Sequence, residues 1–153
     1  MSDGPVEHDG PDPICREDAY PRYAEGEAEV ICARAVIYPD PRFRSRADDG
    51  QVRPTWKCRL DCMRVSDQAP VCGFFNMGNA ASPEVKRSSV YRRVWIMAFG
   101  ASPRKRQRMS KRAFVGKVFR VRIGDTRKDY NGKAYPEGAV YSTVKEFIEC
   151  VGP

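Results

Sequence analysis

The side chains able to support covalent or metal chemistry are few in this 153-residue chain. It has one histidine, His8, set in an acidic stretch rich in proline and glycine, so no Ser-His-Asp or Cys-His relay can be assembled from the patterned segments. Cysteines stand at 15, 32, 58, 62, 72 and 150. Three of them, Cys58, Cys62 and Cys72, would bring thiolates toward a zinc tetrahedron. No second close pair or neighbouring histidine completes it, and Cys58 and Cys62 share the even spacing of Trp56 and Leu60, the parity of core-facing strand positions. They are expected to be packing residues that hold no metal. Metal-assisted hydrolysis needs converging carboxylates. Asp61, Asp67, Glu84, Asp125, Asp129, Glu137, Glu146 and Glu149 are scattered singly. Gly116-Lys117 precedes a strand pattern, where a phosphate-binding loop requires a helix. The chain is therefore expected to be non-catalytic and to carry no cofactor.

What is concentrated is positive charge. The net +7 conceals an asymmetry: residues 1 to 29 hold nine acidic and two basic side chains, which leaves +14 on residues 30 to 153. A basic domain of this kind attracts polyanions, with counterion release driving the association. Otherwise such a surface serves only solubility. The densest cluster is Arg104, Lys105, Arg106 and Arg108, with Lys111 and Arg112 directly after. Further cations alternate along strand patterns, Lys57 and Arg59 on one and Arg120 and Arg122 on another. Aromatic residues are interleaved with them. Cations neutralise phosphate while exposed rings stack on bases, so this combination points to single-stranded DNA or RNA. Tyr130 joins the expected contact set and Tyr135 stands equally between surface and core. Phe74, Phe75, Trp95 and Phe119 are expected in the core. Two other readings of the charge stay open: docking on an acidic protein partner or nucleoprotein complex, and duplex binding by a basic helix.

These groups must be positioned by a mainly β fold with some α. Met1 to Glu29 has too few apolar residues to form a packed element, which predicts a disordered acidic tail before a single domain over 30 to 153. Val30 to Tyr38 reads as a buried strand, Pro39 to Pro54 as a long basic loop, and Thr55 to Val65 as a strand with one wet face. Pro70 to Asn76 follows a turn as the next strand. Ser82-Pro83-Glu84 has the cap, proline and acid of a helix start, predicting an amphipathic helix that ends at Gly100. Ser110 caps a short turn closed by Gly116, and Lys117 to Ile123 alternates as a strand. Asn131-Gly132 marks a hairpin turn. A last strand or short helix, Ser142 to Cys150, completes a small five-stranded barrel with an inserted helix, of which the oligonucleotide-binding barrel is one example. No run approaches a membrane span, and residues 1 to 26 lack the positive start and apolar stretch of a secretory signal, so a cytoplasmic location with reduced thiols is expected.

From Val71 to Glu149, the succession Cys72-Gly73-Phe74-Phe75-Asn76, Tyr91-Arg92-Arg93-Val94-Trp95, Met109-Ser110, Gly116-Lys117-Val118-Phe119-Arg120-Val121 and Tyr141-Ser142-Thr143-Val144 resembles small uncharacterised proteins of phages and mobile elements. More distantly it resembles phage single-strand-binding-like proteins with an oligonucleotide-binding barrel. Ile123 departs from the valine expected at the end of the "Gly-Lys-x-Phe-x-Val-x-Val" strand. The resemblance covers about half of the chain and implies a barrel and a mobile-element origin. Its motifs are core and turn residues and imply no defined activity.

Overall fold

In the strand pattern that opens the fold, one residue in two points inward, and the first strand carries this pattern far beyond the expected nine residues. A computed structural model describes residues 21 to 152. Its strands are β1 (Gly26–Arg46), β2 (Val52–Arg64), β3 (Pro70–Asn76), β4 (Val118–Thr126) and β5 (Tyr141–Gly152), with one helix, α1 (Val90–Phe99), between β3 and β4. Short 3-10 turns occupy Lys111–Ala113 and Glu137–Ala139. The strands close into a barrel in the order β1-β2-β3-β5-β4. All pairings are antiparallel except β3 with β5, which meet in parallel at Cys72 and Thr143.

Closure follows from the length of β1. Its first part, Gly26 to Ile31, pairs with β4, and Val30 to Arg46 pairs with β2. Register shifts between Cys32 and Arg34 and between Asp40 and Arg44 bend it, since an extra residue on one strand kinks and twists the ladder. The expected loop at 39 to 54 is therefore a correction: Pro39 lies opposite Trp56 and Asp40 opposite Thr55, leaving only residues 47 to 51 as connection. Pro41 fits here because the irregular register at Asp40 to Arg44 relieves the ladder of the donor it lacks.

The interior takes Val30, Cys32 and Ala35 from β1, Cys58, Leu60 and Cys62 from β2, Val71 and Phe75 from β3, Phe119, Val121 and Ile123 from β4, and Val144 and Phe147 from β5. Phe75 touches Tyr91, Phe114 and Phe147 at ring separations of 5.8, 5.6 and 5.3 Å. Each such pair adds about 0.5–1.5 kcal/mol beyond area burial. Gly73 belongs to the same cluster, because a Cβ there would lie 2.7 Å from the Phe147 ring. Helix α1 is fastened through its buried aromatics, the Tyr91 hydroxyl donating to the Met109 carbonyl at 2.7 Å and the Trp95 indole to Ser110 at 3.0 Å.

Two further expectations are corrected. Helix α1 starts at Val90 and not near Ser82, because the Glu84 amide donates to Met77 and the Ser89 hydroxyl accepts from Arg92, making Ser89 the cap. The acidic tail was expected to run to Glu29, yet β1 begins at Gly26. Before it, Arg22 pairs with Asp125 at 2.9 Å and Glu137 at 2.6 Å, and the Tyr23 hydroxyl donates to the Pro70 carbonyl at 2.6 Å. Two of the acids that lowered the hydrophobicity of 21 to 29 have partners on β4, Glu27 pairing with Arg120 at 3.6 Å and Glu25 accepting from the Asp125 amide at 3.4 Å. The rest of the expected tail, residues 1 to 20, lies outside the described residues, as do His8 and Cys15. Among the described residues no helix is long and apolar enough to cross a membrane.

This arrangement sets a test by paired truncation. A chain lacking residues 1 to 29 should melt at least ~10 °C below one lacking only residues 1 to 20, since it loses four of the six register pairs of β1 with β4, together with the Arg22 and Tyr23 contacts, and each kilocalorie removed shifts Tm by several degrees. Equal melting temperatures in a thermal scan would contradict the role assigned to 21 to 29.

Candidate functional site

The bent far end of β1 builds one wall of a cleft. There Asp40, only 2% exposed, accepts three hydrogen bonds from Arg42, from its backbone amide at 3.1 Å, Nε at 3.0 Å and Nη2 at 2.9 Å. The Lys57 ammonium, from β2, lies 3.7 Å from the same carboxylate and 3.6 Å above the Phe43 ring. Arg42 in turn sits 5.4 Å from the centre of the Tyr130 ring. One buried carboxylate thus fixes two cations against two aromatic rings.

The opposite wall is the connection from β4 to β5. The Asn131-Gly132 turn forms as its sequence predicts: the Asp129 amide donates to Lys133 at 2.8 Å, and Lys128 bridges to Ala134. The Asp129 carboxylate accepts from the Asn131 and Lys133 amides, both at 2.9 Å. The base of this connection is braced by Arg22 and Arg127, which share Asp125 and Glu137. The walls meet where Phe43 and Tyr130 touch edge to face at 6.3 Å.

Between them is an open cleft of about 460 Å³, floored by Tyr38, Lys57, Phe74, Thr126, Tyr141 and Thr143. Phe74 and Tyr130 present 41% and 50% of their surface to solvent. Arg42, Lys57 and Lys128 line it, against Asp129. Hydrogen bonds from Arg42 hold the Asp40 carboxyl below the usual carboxylate range. Burial pushes the Lys57 ammonium down, opposed by Asp40. The ensemble offers cations and exposed ring faces side by side. Its two nearby carboxylates are occupied, Asp40 by cations and Asp129 by turn amides.

The residues expected to form one contact surface occupy three places. Lys57 and Tyr130 line the cleft. Arg59 stands two residues along β2, bonded to Asp61 at 2.7 Å and lying 6.0 Å from the Tyr38 ring. Arg120 and Arg122 do face outward on β4, but acids from both neighbouring strands neutralise them: Glu27 at 3.6 Å and Glu149 at 3.3 Å flank Arg120, and Glu146 lies 2.8 Å from Arg122. Arg104, Lys105, Arg106, Arg108 and Arg112 are exposed, with Lys111 half-buried, on the connection from α1 to β4. That connection is tied to β1 where Gly116 donates to the Cys32 carbonyl and Cys32 to that of Lys117. Cys32 lies about 20 Å along β1 from the cleft, at roughly 3.3 Å per residue.

Sequence reasoning missed Tyr38, Phe43, Tyr141 and the exposure of Phe74, and it noticed Arg42 only as one cation of an expected basic loop. Phe74 is a correction with a simple cause: in β3, Val71, Gly73 and Phe75 point inward, so the adjacent phenylalanine must point outward. The parity of β3 was readable. Arg42-Phe43 was hidden in a segment read as loop. Cys58 and Cys62 are in the core with Leu60, as expected.

Replacing Asp40 with Asn tests the electrostatics of this wall. A carboxylate with a depressed folded pKa contributes stability above its unfolded value of about 3.9, lost as pH falls through the folded value. Asp40→Asn should therefore cost about 1–2 kcal/mol near neutrality, and the difference from wild type should shrink in urea titrations at about pH 3. A pH-independent difference would assign the loss to packing.

Compared with known proteins, the chain matches no family model, and no curated protein has significant sequence similarity to it.

Proposed function

We propose that this chain is a non-catalytic, cytoplasmic protein that binds single-stranded nucleic acid in the cleft between the β1–β2 hairpin and the β4–β5 connection. The observation that carries the reading is the interleaving of exposed rings, Phe74 and Tyr130, with Arg42, Lys57 and Lys128 on one concave surface. Flat rings accept any base by stacking, at about 1–3 kcal/mol each, while the cations neutralise the backbone. A fixed Asp40–Arg42–Lys57 cluster suits this use, because cations already oriented lose less freedom on binding.

The topology supports the same reading. A closed order β1-β2-β3-β5-β4 with a helix between β3 and β4 is what an oligonucleotide-binding barrel requires, and such barrels bind on the face of strands two and three between the first and fourth connections. Lys57 on β2, Phe74 on β3 and the fourth connection all line the cleft, which supports this reading. Five described cysteines are free thiols, which suits a reducing compartment.

A second reading rests on the separate cluster at 104 to 112, whose cations form no ion pair among the described residues. A cationic surface patch outside the cleft lining fits docking on an acidic protein or nucleoprotein partner.

Fluorescence anisotropy with labelled thymidine and uridine 12-mers tests the proposal. Wild type should bind, with affinity falling steeply as salt rises. Phe74→Ala and Tyr130→Ala should each weaken binding by roughly 5- to 150-fold with the salt slope unchanged. Arg42→Gln and Lys57→Gln should each reduce that slope by about 0.7. Arg120→Gln, whose cation is already paired, should change affinity less than about three-fold, as should Gln replacement of Arg104, Lys105, Arg106 and Arg108 together. Absence of binding at low salt would defeat the proposal. A dominant loss in the quadruple variant would favour the second surface.

A further inference from the structure

The cleft does not end at Phe74. Across that ring a second depression of about 490 Å³ opens, bounded by Asn76 on β3, Glu84, Lys86 and Ser88 on the segment before α1, and Lys145 on β5. Phe74 belongs to both, so its exposed ring stands at the boundary between them. The two depressions are also joined along β5. Tyr141, Thr143 and Lys145 alternate outward on that strand, the first two lining the cleft and the third the second depression. The Lys145 ammonium donates to the Thr126 hydroxyl at 3.3 Å, and Thr126 is itself part of the cleft floor, bonded to the Thr143 hydroxyl at 2.9 Å.

Gly124 makes this path possible. The Lys145 stem lies over it, and a Cβ at 124 would come within 2.9 Å of Lys145 Cγ. The bare backbone lets a long cationic side chain lie flat on the barrel and span the boundary between the two depressions. Lys86 supplies a second exposed cation on the far bank, with Glu84 beside it and Asp48 and Asp49 across an adjoining depression.

We propose that the ligand is an extended single strand that passes over Phe74, its bases stacking at that ring and its following phosphates meeting Lys145 and Lys86. This inference rests on reading the cleft as a single-strand site, and it specifies the substrate class: a polynucleotide occupying both depressions, not a nucleotide or short oligomer confined to the first. Glu84 opposes the phosphates and limits their affinity.

The test compares thymidine oligomers of about 4 and about 12 nucleotides, one at the lower limit and one well inside the roughly 4- to 16-nucleotide site sizes of such barrels. In the double variant Lys86→Gln, Lys145→Gln, binding of the 12-mer should fall about 5- to 10-fold and its salt slope shrink by about 1.4, twice the single-strand value per phosphate. Binding of the 4-mer should stay within two-fold. Glu84→Gln should act in the opposite direction, tightening the 12-mer alone, and Lys145→Arg should retain the wild-type slope. Both lysines are exposed, so an unchanged thermal melt is expected and serves as the control for folding. An unchanged 12-mer affinity and slope in the double variant, or an equal loss on both oligomers, overturns the second compartment while leaving the first cleft standing. Failure of wild type to bind either oligomer overturns the single-strand reading itself.

Discussion

Barrel closure in this protein depends on one strand serving two neighbours. β1 must leave β4 near Ile31 and continue along β2 to Arg46, and a straight strand cannot follow both around a ring. Its two register irregularities supply the bend. The first, between Cys32 and Arg34, lies where pairing passes from one neighbour to the other and where the α1–β4 connection is tied on through Gly116 and Lys117. The second, between Asp40 and Arg44, throws Arg42 and Phe43 out of the ladder and over the floor of the cleft. The same device that closes the barrel thus shapes one wall of its candidate site.

Electrostatics then divides the surface. On the β1–β4–β5 side, Glu27, Glu146 and Glu149 neutralise Arg120 and Arg122 in pairs that are each largely solvent-exposed. Such pairs contribute little stability individually, about 0–1 kcal/mol, but they remove two arginines from the charge offered to a polyanion. In the cleft the balance is reversed. Asp40 is almost wholly buried and serves as an anchor, so Arg42 and Lys57 keep their positions while the exposed lining stays cationic. Net charge alone could not distinguish these two fates, because both surfaces carry arginines at alternating strand positions.

Much of the fold was legible because period-two alternation reports directly on which side of a sheet is dry. β3 was placed over Pro70 to Asn76, the Ser110 cap and the Asn131-Gly132 turn form as their local chemistry predicts, and Cys58, Leu60 and Cys62 are inside. Failures came where tertiary contacts override local signals. Ser82-Pro83-Glu84 reads as a helix start, yet the Glu84 amide is taken by Met77 at the end of β3, and the helix waits for Ser89. Residues 21 to 29 read as too polar to order, yet their charges have partners more than ninety residues away, as Arg22 has in Asp125 and Glu137.

By itself, then, the amino-acid order determined a small β-rich domain with an excess of positive charge, a core of alternating apolar residues and a hairpin turn at 131 to 132, because these depend on neighbours within a few residues. Only the tertiary structure decided which cations remain available and which rings they accompany. Arg42, Lys57, Phe74 and Tyr130 come from four separate segments, and their meeting depends on the bend in β1 and on closure through β3 and β5. The dense run at 104 to 108, the strongest signal along the chain, lies on the α1–β4 connection and lines neither the cleft nor the depression beside it. Proximity in sequence sets local field strength, whereas a binding surface requires convergence in space, and barrel closure alone supplies that.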